Sequence, residues 1–192
     1  MIQASTRKNT VHRGVLSIEM LVILAVIAIM AITIFLNAGS LFGKNETSNE
    51  LANVQEVMTN TRTLLKTQGV YDFNGSSNMM GALIQFDGVP KSMTVVGEPT
   101  SGSATLLNTW GGNVTLAPVS SGSGKTGFTL TYEKVPMAAC AALATKVSQA
   151  VAETAINGST NVGTVNASTA GSQCTKDNGS TGTNTLEFKS LT

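Results

Sequence analysis

The chain has 192 residues, a length that suits one domain with an appendage. It is 42% hydrophobic yet only 12% charged, where an ordinary globular chain is roughly 25% charged, and Gly, Ser, Thr and Asn together make up about two-fifths of it. A net charge of +1 gives no electrostatic case for nucleic-acid binding, and two cysteines cannot staple a disulfide-dense miniprotein.

The first element is a basic leader, residues 1–14, with Arg7, Lys8 and Arg13 and no acid. It is followed from Val15 to Leu36 by VLSIEMLVILAVIAIMAITIFL, 22 residues whose sole charge is Glu19. As a helix this segment spans about 33 Å, enough to cross a bilayer core. The positive-inside rule places the leader in the cytoplasm and the remainder across the membrane. An ordinary signal peptide would have a shorter apolar core, of roughly 7–15 residues, ending at a small-residue cleavage site. A permanent anchor leaves Glu19 unexplained, because a carboxylate within a span is costly and usually functional.

Arg13-Gly14 followed by Val15-Leu16-Ser17-Ile18-Glu19 and an unbroken apolar helix resembles the signal of type IV prepilins. The resemblance implies cleavage between Gly14 and Val15 by a membrane prepilin peptidase, with N-methylation of Val15. It also implies that the apolar helix is retained and that Glu19 is the glutamate that guides assembly. The physics of Glu19 agrees: an unpaired carboxylate in a dry helix bundle is expensive, and a neighbour's terminal ammonium relieves it at one stagger only. A membrane-edge glutamate that snorkels to headgroups is the plainer alternative. Without the leader the side-chain balance is −2.

Residues 37–69 read as an amphipathic continuation of the helix. Leu51, Val54, Val57, Met58, Thr61, Leu64 and Leu65 recur at three and four. Glu46, Glu50 and Glu56 lie early and Arg62 and Lys66 late, as the helix dipole prefers, and Gly69 supplies a stop. Residues 70–192 form a globular head. Val70–Asn78 reads as loop and Met79–Phe86 as a short helix. Met93–Val96, Thr105–Asn108, Asn113–Ala117 and Gly127–Glu133 read as strands, with a turn at Gly111-Gly112 and Trp110 packing the sheet. Met137–Ile156 reads as a second helix, started by Pro136 and ended at Asn157-Gly158. Residues 157–184 are small and polar, and Thr185–Leu191 is a last strand. The expected fold class is α+β: a long N-terminal helix on a mainly antiparallel sheet, with an additional helix and a disulfide-bounded C-terminal region.

Cys140 and Cys174 both lie beyond the membrane segment, where export favours their pairing; two independent buried thiols are the alternative. His12 is the single histidine and falls in the leader, so the processed chain has no imidazole for catalysis or metal binding. Its carboxylates are scattered, so no enzyme activity and no cofactor or metal is expected. Ser121-Gly122-Ser123-Gly124-Lys125-Thr126 tempts a phosphate-loop reading, but Val119 stands where that motif needs glycine and a strand follows.

In the head, the Val89-Pro90-Lys91 segment, Trp110-Gly111-Gly112-Asn113-Val114-Thr115 and Val135-Pro136-Met137-Ala138-Ala139-Cys140 resemble PilS-type major pilins of the type IVb class, found in conjugative thin pili and enteric pili. That resemblance implies self-assembly into a helical filament, with an assembly ATPase, a platform protein and a secretin as partners. It implies a precursor in the inner membrane, a surface pilus, and contact with host or recipient cells. A type II secretion pseudopilin and a membrane-tethered periplasmic binding module are the other readings.

Overall fold

The computed structural model describes residues 45–121, 124–179 and 181–191. The leader, the apolar segment 15–36 and residues 37–44 lie outside the described residues.

Helix α1 runs over 45–64. Its buried stripe is Val54, Val57, Met58 and Thr61, at helical spacing, and Leu65 continues it just beyond the last turn. The helix ends five residues before Gly69, earlier than the sequence suggests. Thr59, Thr61 and Thr63 each donate a hydroxyl to the carbonyl four residues back, bonds that favour bending over continuation. Gly69 serves instead in a tight turn with Gln68, both at positive φ, closed by paired bonds between Thr67 and Val70. Leu64, expected on the apolar face, is 43% exposed.

Helix α2, Ser76–Gln85, buries Met79, Met80, Leu83 and Ile84, the residues expected to fill the core. Seven strands follow: β1 (Thr94–Val96), β2 (Thr105–Leu107), β3 (Asn113–Ser121), β4 (Gly124–Val135), β5 (Glu153–Ile156), β6 (Ser159–Val162) and β7 (Asn184–Ser190). They form one antiparallel sheet in the order β1-β2-β3-β4-β7-β5-β6. The four strands foreseen between 93 and 133 all form, with shifted ends. β3 and β4 make one hairpin across Ser121↔Gly124, so the Ser/Gly-rich segment joins strands as expected.

Period-two alternation puts Val114 and Leu116 of β3, Phe128, Leu130 and Tyr132 of β4, and Leu186 and Phe188 of β7 on one face. All seven are essentially inaccessible to solvent. α1 lies on this face, its Arg62 guanidinium 5.9 Å from the Phe128 ring centre. Tyr71 meets the same ring edge-on at 5.4 Å. The opposite face carries Thr129, Glu187, Lys189, Glu153 and Ala155, with Lys189 and Glu153 paired at 2.9 Å. Burying one face and wetting the other is the usual economy of an antiparallel sheet.

The second long helix requires correction. α3 spans only Met137–Val147 and closes with a 3-10 turn, Ser148–Ala150. Glu153–Ile156, read as the helix end, is strand β5, paired with β7 through Thr154↔Phe188 and Ile156↔Leu186. Asn157-Gly158, read as a helix stop, is the two-residue turn of the β5–β6 hairpin, with φ of 50° and 84°. Asn-Gly suits such a turn because both central residues need positive φ. The polar stretch 157–184 also holds helix α4, Ala167–Gln173, capped by the Asn166 side chain on Thr169 N–H at 2.9 Å.

Candidate functional site

The expected processing and assembly residues Gly14, Val15 and Glu19 lie outside the described residues. The head contributes the disulfide-bounded region, the loop clamped to α1, and the sheet surfaces.

Cys140 in α3 and Cys174, at the C-terminal cap of α4, form a disulfide with their Cα atoms 6.0 Å apart. It closes a loop of 34 residues that contains β5, β6 and α4. The chain beyond Cys174 turns back over the start of α3, where the Asp177 carboxylate accepts the Met137 N–H at 2.7 Å. An acid at this position satisfies a free helix N–H and complements the dipole.

Asn184 anchors the same region. It is fully buried at the start of β7. Its amide nitrogen donates to the Val135 carbonyl at 3.0 Å and the Thr175 carbonyl at 3.1 Å. Its amide oxygen accepts the Thr175 N–H at 2.6 Å and the Asn157 amide at 2.9 Å. Asn157 in turn donates to the Gln173 carbonyl and accepts the Thr185 N–H, both at 2.9 Å. One side chain thus joins the end of β4, the residue after the disulfide, and the β5–β6 turn. The sequence carried a signal for it: Asn184 falls in phase with the buried Leu186, Phe188 and Ser190.

Glu50 is the second residue whose partners only the fold supplies. It sits four before Val54 on the apolar stripe of α1, and it is fully buried. Its Oε2 accepts the Thr109 N–H at 3.2 Å, the Thr109 hydroxyl, and the Asn53 amide at 3.3 Å. Asn53 also accepts the Ser92 hydroxyl at 2.7 Å. The buried Tyr132 hydroxyl faces this carboxylate, but neither it nor Glu50 Oε1 reaches bonding geometry. Burial first, and the adjacent Glu50 charge second, hold the Tyr132 phenol well above its ordinary value. Thr109 belongs to the β2–β3 loop, so this contact clamps that loop to α1.

The loop keeps its shape through Asn108, whose amide oxygen accepts the Trp110 and Gly112 N–H groups at 3.0 and 2.9 Å. Its nitrogen donates to the Glu133 carbonyl at 2.7 Å. Gly112 packs so closely on the Glu133 backbone that a Cβ there would collide with it. Trp110 packs partly buried on the core, as read from the sequence.

Shallow hollows mark the surface of the described residues. One, of about 200 Å³, has Met80, Ala104, Leu106 and Val114 among its lining residues, with Ser76 and Thr105 beside them. Another, of about 60 Å³, lies on the wet sheet face around Thr129 and Lys189. Among the described residues no His, Cys, Asp and Glu cluster could hold a metal. No described helix is long and apolar enough to cross a membrane.

A helix laid along an antiparallel sheet, with a C-terminal region tied down by one disulfide, defines a type IV pilin head. The PilS N-terminal family model matches residues 44–191. The crystal structure of a type IVb pilin from Salmonella typhi is 44% identical, with a TM-score of 0.62, over 73% of this chain and 97% of that one. The NMR structure of the type IVb pilin PilS from Salmonella typhi is 43% identical, with a TM-score of 0.52, over 74% of this chain and 94% of that one. No curated protein matches the chain. The chain belongs to the PilS family of type IVb pilins: it is a pilus subunit, structural rather than enzymatic.

Proposed function

We propose that the chain is the major subunit of a type IVb pilus. Residues 1–14 are a leader removed by prepilin peptidase between Gly14 and Val15, and Val15 is then N-methylated. Residues 15–36 anchor the precursor in the inner membrane and afterwards bundle as the filament core. Residues 37–69 extend that segment into the head, residues 70–192, which forms the outer surface. Glu19 pairs with a neighbour's terminal ammonium and sets the stagger, since any other stagger leaves both charges alone in an apolar bundle. Assembly draws on an ATPase, a platform protein and a secretin. The exposed filament serves attachment, cell-cell contact or conjugation with host or recipient cells.

The observation that carries this reading is the match of the head to the type IVb pilin of Salmonella typhi across 97% of that chain, beside a prepilin-like leader. The small Ser/Thr/Asn-rich head favours the major role over a specialised tip subunit. The test is mass analysis of the mature N-terminus from purified filaments. N-methyl-Val15 with one disulfide is the expected result, and a Gly14 substitution should leave the leader attached. A mature protein that retains residues 1–14 in the wild type refutes the processing. Short periplasmic fibres without surface filaments point to a secretion pseudopilin instead.

A further inference from the structure

The head contains three Asn-Gly pairs, Asn74-Gly75, Asn157-Gly158 and Asn178-Gly179. In such a pair the glycine nitrogen can attack the asparagine side-chain carbonyl carbon, because no Cβ on the following residue blocks the approach. A bond forms from the glycine nitrogen to that carbon, the bond to the side-chain nitrogen breaks, and ammonia leaves with the proton from the glycine N–H. The five-membered imide is then opened by water to aspartate or isoaspartate. Water is the sole co-reactant and no redox change occurs.

All three asparagines are exposed, so exposure does not distinguish them. Their hydrogen bonding does. The Asn157 side chain is held at every polar atom: its nitrogen donates to the Gln173 carbonyl and to Asn184, and its oxygen accepts the Thr185 N–H. Its backbone N–H is bound too, to the Thr185 carbonyl at 2.9 Å. Attack requires the side-chain carbonyl to swing onto Gly158 N, which breaks all three side-chain bonds together. An acid at this position would also set a carboxylate against the Gln173 carbonyl and the Asn184 oxygen, both acceptors.

Asn178 and Asn74 are different. Asn178 is fixed by its backbone alone, in paired bonds with Thr181, and its side chain has no partner among the described residues. Asn74 uses its carbonyl to accept the Asn78 amide at 3.4 Å, and its own side chain has no partner among the described residues. Gly75, Gly158 and Gly179 all lie at positive φ, so the glycine backbone does not distinguish the three.

We propose that Asn74 and Asn178 are sites of spontaneous conversion to aspartate and isoaspartate in the folded head, and that Asn157 is protected by its bonds to Gln173, Asn184 and Thr185. Each conversion adds one negative charge to the surface. A filament whose subunits persist outside the cell therefore grows more acidic with age, at two defined places.

The experiment incubates purified filaments at mildly alkaline pH, with a parallel sample denatured and reduced. Both are digested and the three peptides followed by mass spectrometry. In the denatured chain the three sites convert at similar rates. In the folded protein Asn74 and Asn178 convert, and Asn157 is slower by about a hundredfold, the factor expected if three hydrogen bonds must open locally before attack. Conversion of Asn157 at the rate of the other two in folded filaments overturns the proposal. So does retention of both Asn74 and Asn178 in the folded protein while the denatured chain reacts, or absence of reaction at all three sites in both states.

Discussion

Substitution of Glu50 tests the clamp between α1 and the β2–β3 loop. Glu50→Ala removes a fully buried carboxylate that accepts two bonds from Thr109 and one from Asn53. Hydrogen bonds to a charged group are each worth about 1.5–3 kcal/mol net. Against that loss stands relief from burying a charge with one oxygen unpartnered, a penalty of several kcal/mol. Thr109 is itself exposed, so its freed N–H and hydroxyl regain water. The Tyr132 hydroxyl remains buried without a partner in either case. The net expectation is destabilisation by about 2–3 kcal/mol, or a fall in Tm of roughly 4–12 °C at this chain length. Glu50→Gln is the informative companion. Its oxygen can still accept from Thr109, and its new N–H₂ can donate to the Tyr132 hydroxyl, so it should lie within about 1 kcal/mol of the wild type. Thermal unfolding followed by near-ultraviolet circular dichroism reads both. Glu50→Ala as stable as the wild type, or Glu50→Gln worse than Glu50→Ala, refutes the reasoning.

Three further outcomes are expected. Replacing Cys140 and Cys174 together by serine opens a 34-residue loop and should lower stability by about 3–4 kcal/mol in the chain-entropy model, read as a Tm shift. Tyr132, raised by burial and then by Glu50, and Tyr71, raised by burial and partly offset by Arg62, both ionise later in the folded head than in the unfolded chain. Their contribution is therefore intact below about pH 10 and is lost as pH rises above it, and Tyr132→Phe should reduce that alkaline loss. Under the proposed assembly role, Glu19→Ala should leave stable subunits but few filaments; abundant filaments by electron microscopy would contradict the register argument.

The segments that read correctly are those in which local pattern and final environment agree. GFTLTYE alternates in the sequence, and Phe128, Leu130 and Tyr132 are buried in β4. Met79, Met80, Leu83 and Ile84 recur at helical spacing and fill the core from α2. The misreading at 148–156 arose where two patterns overlap. Leu143, Val147 and Val151 continue an apolar helical spacing, but Thr154 and Ile156 alternate as a strand does. The open side of β7 settles it, since β5 supplies the bonding partner that β7 would otherwise lack.

The sequence by itself determined most of the buried stripe of α1, the central strands, and the likeness to prepilins at Gly14 and Glu19. Each is either a periodicity or a spacing, and both survive without knowledge of the third dimension. The tertiary structure alone decided that α3 stops at Val147, that Glu50 faces inward onto Thr109, and that Asn184 joins the chain ends around the disulfide. These depend on partners 59 and 49 residues away for Glu50 and Asn184. A polar residue on a buried face is stable only where distant donors and acceptors meet it, and that meeting is a property of the packed sheet.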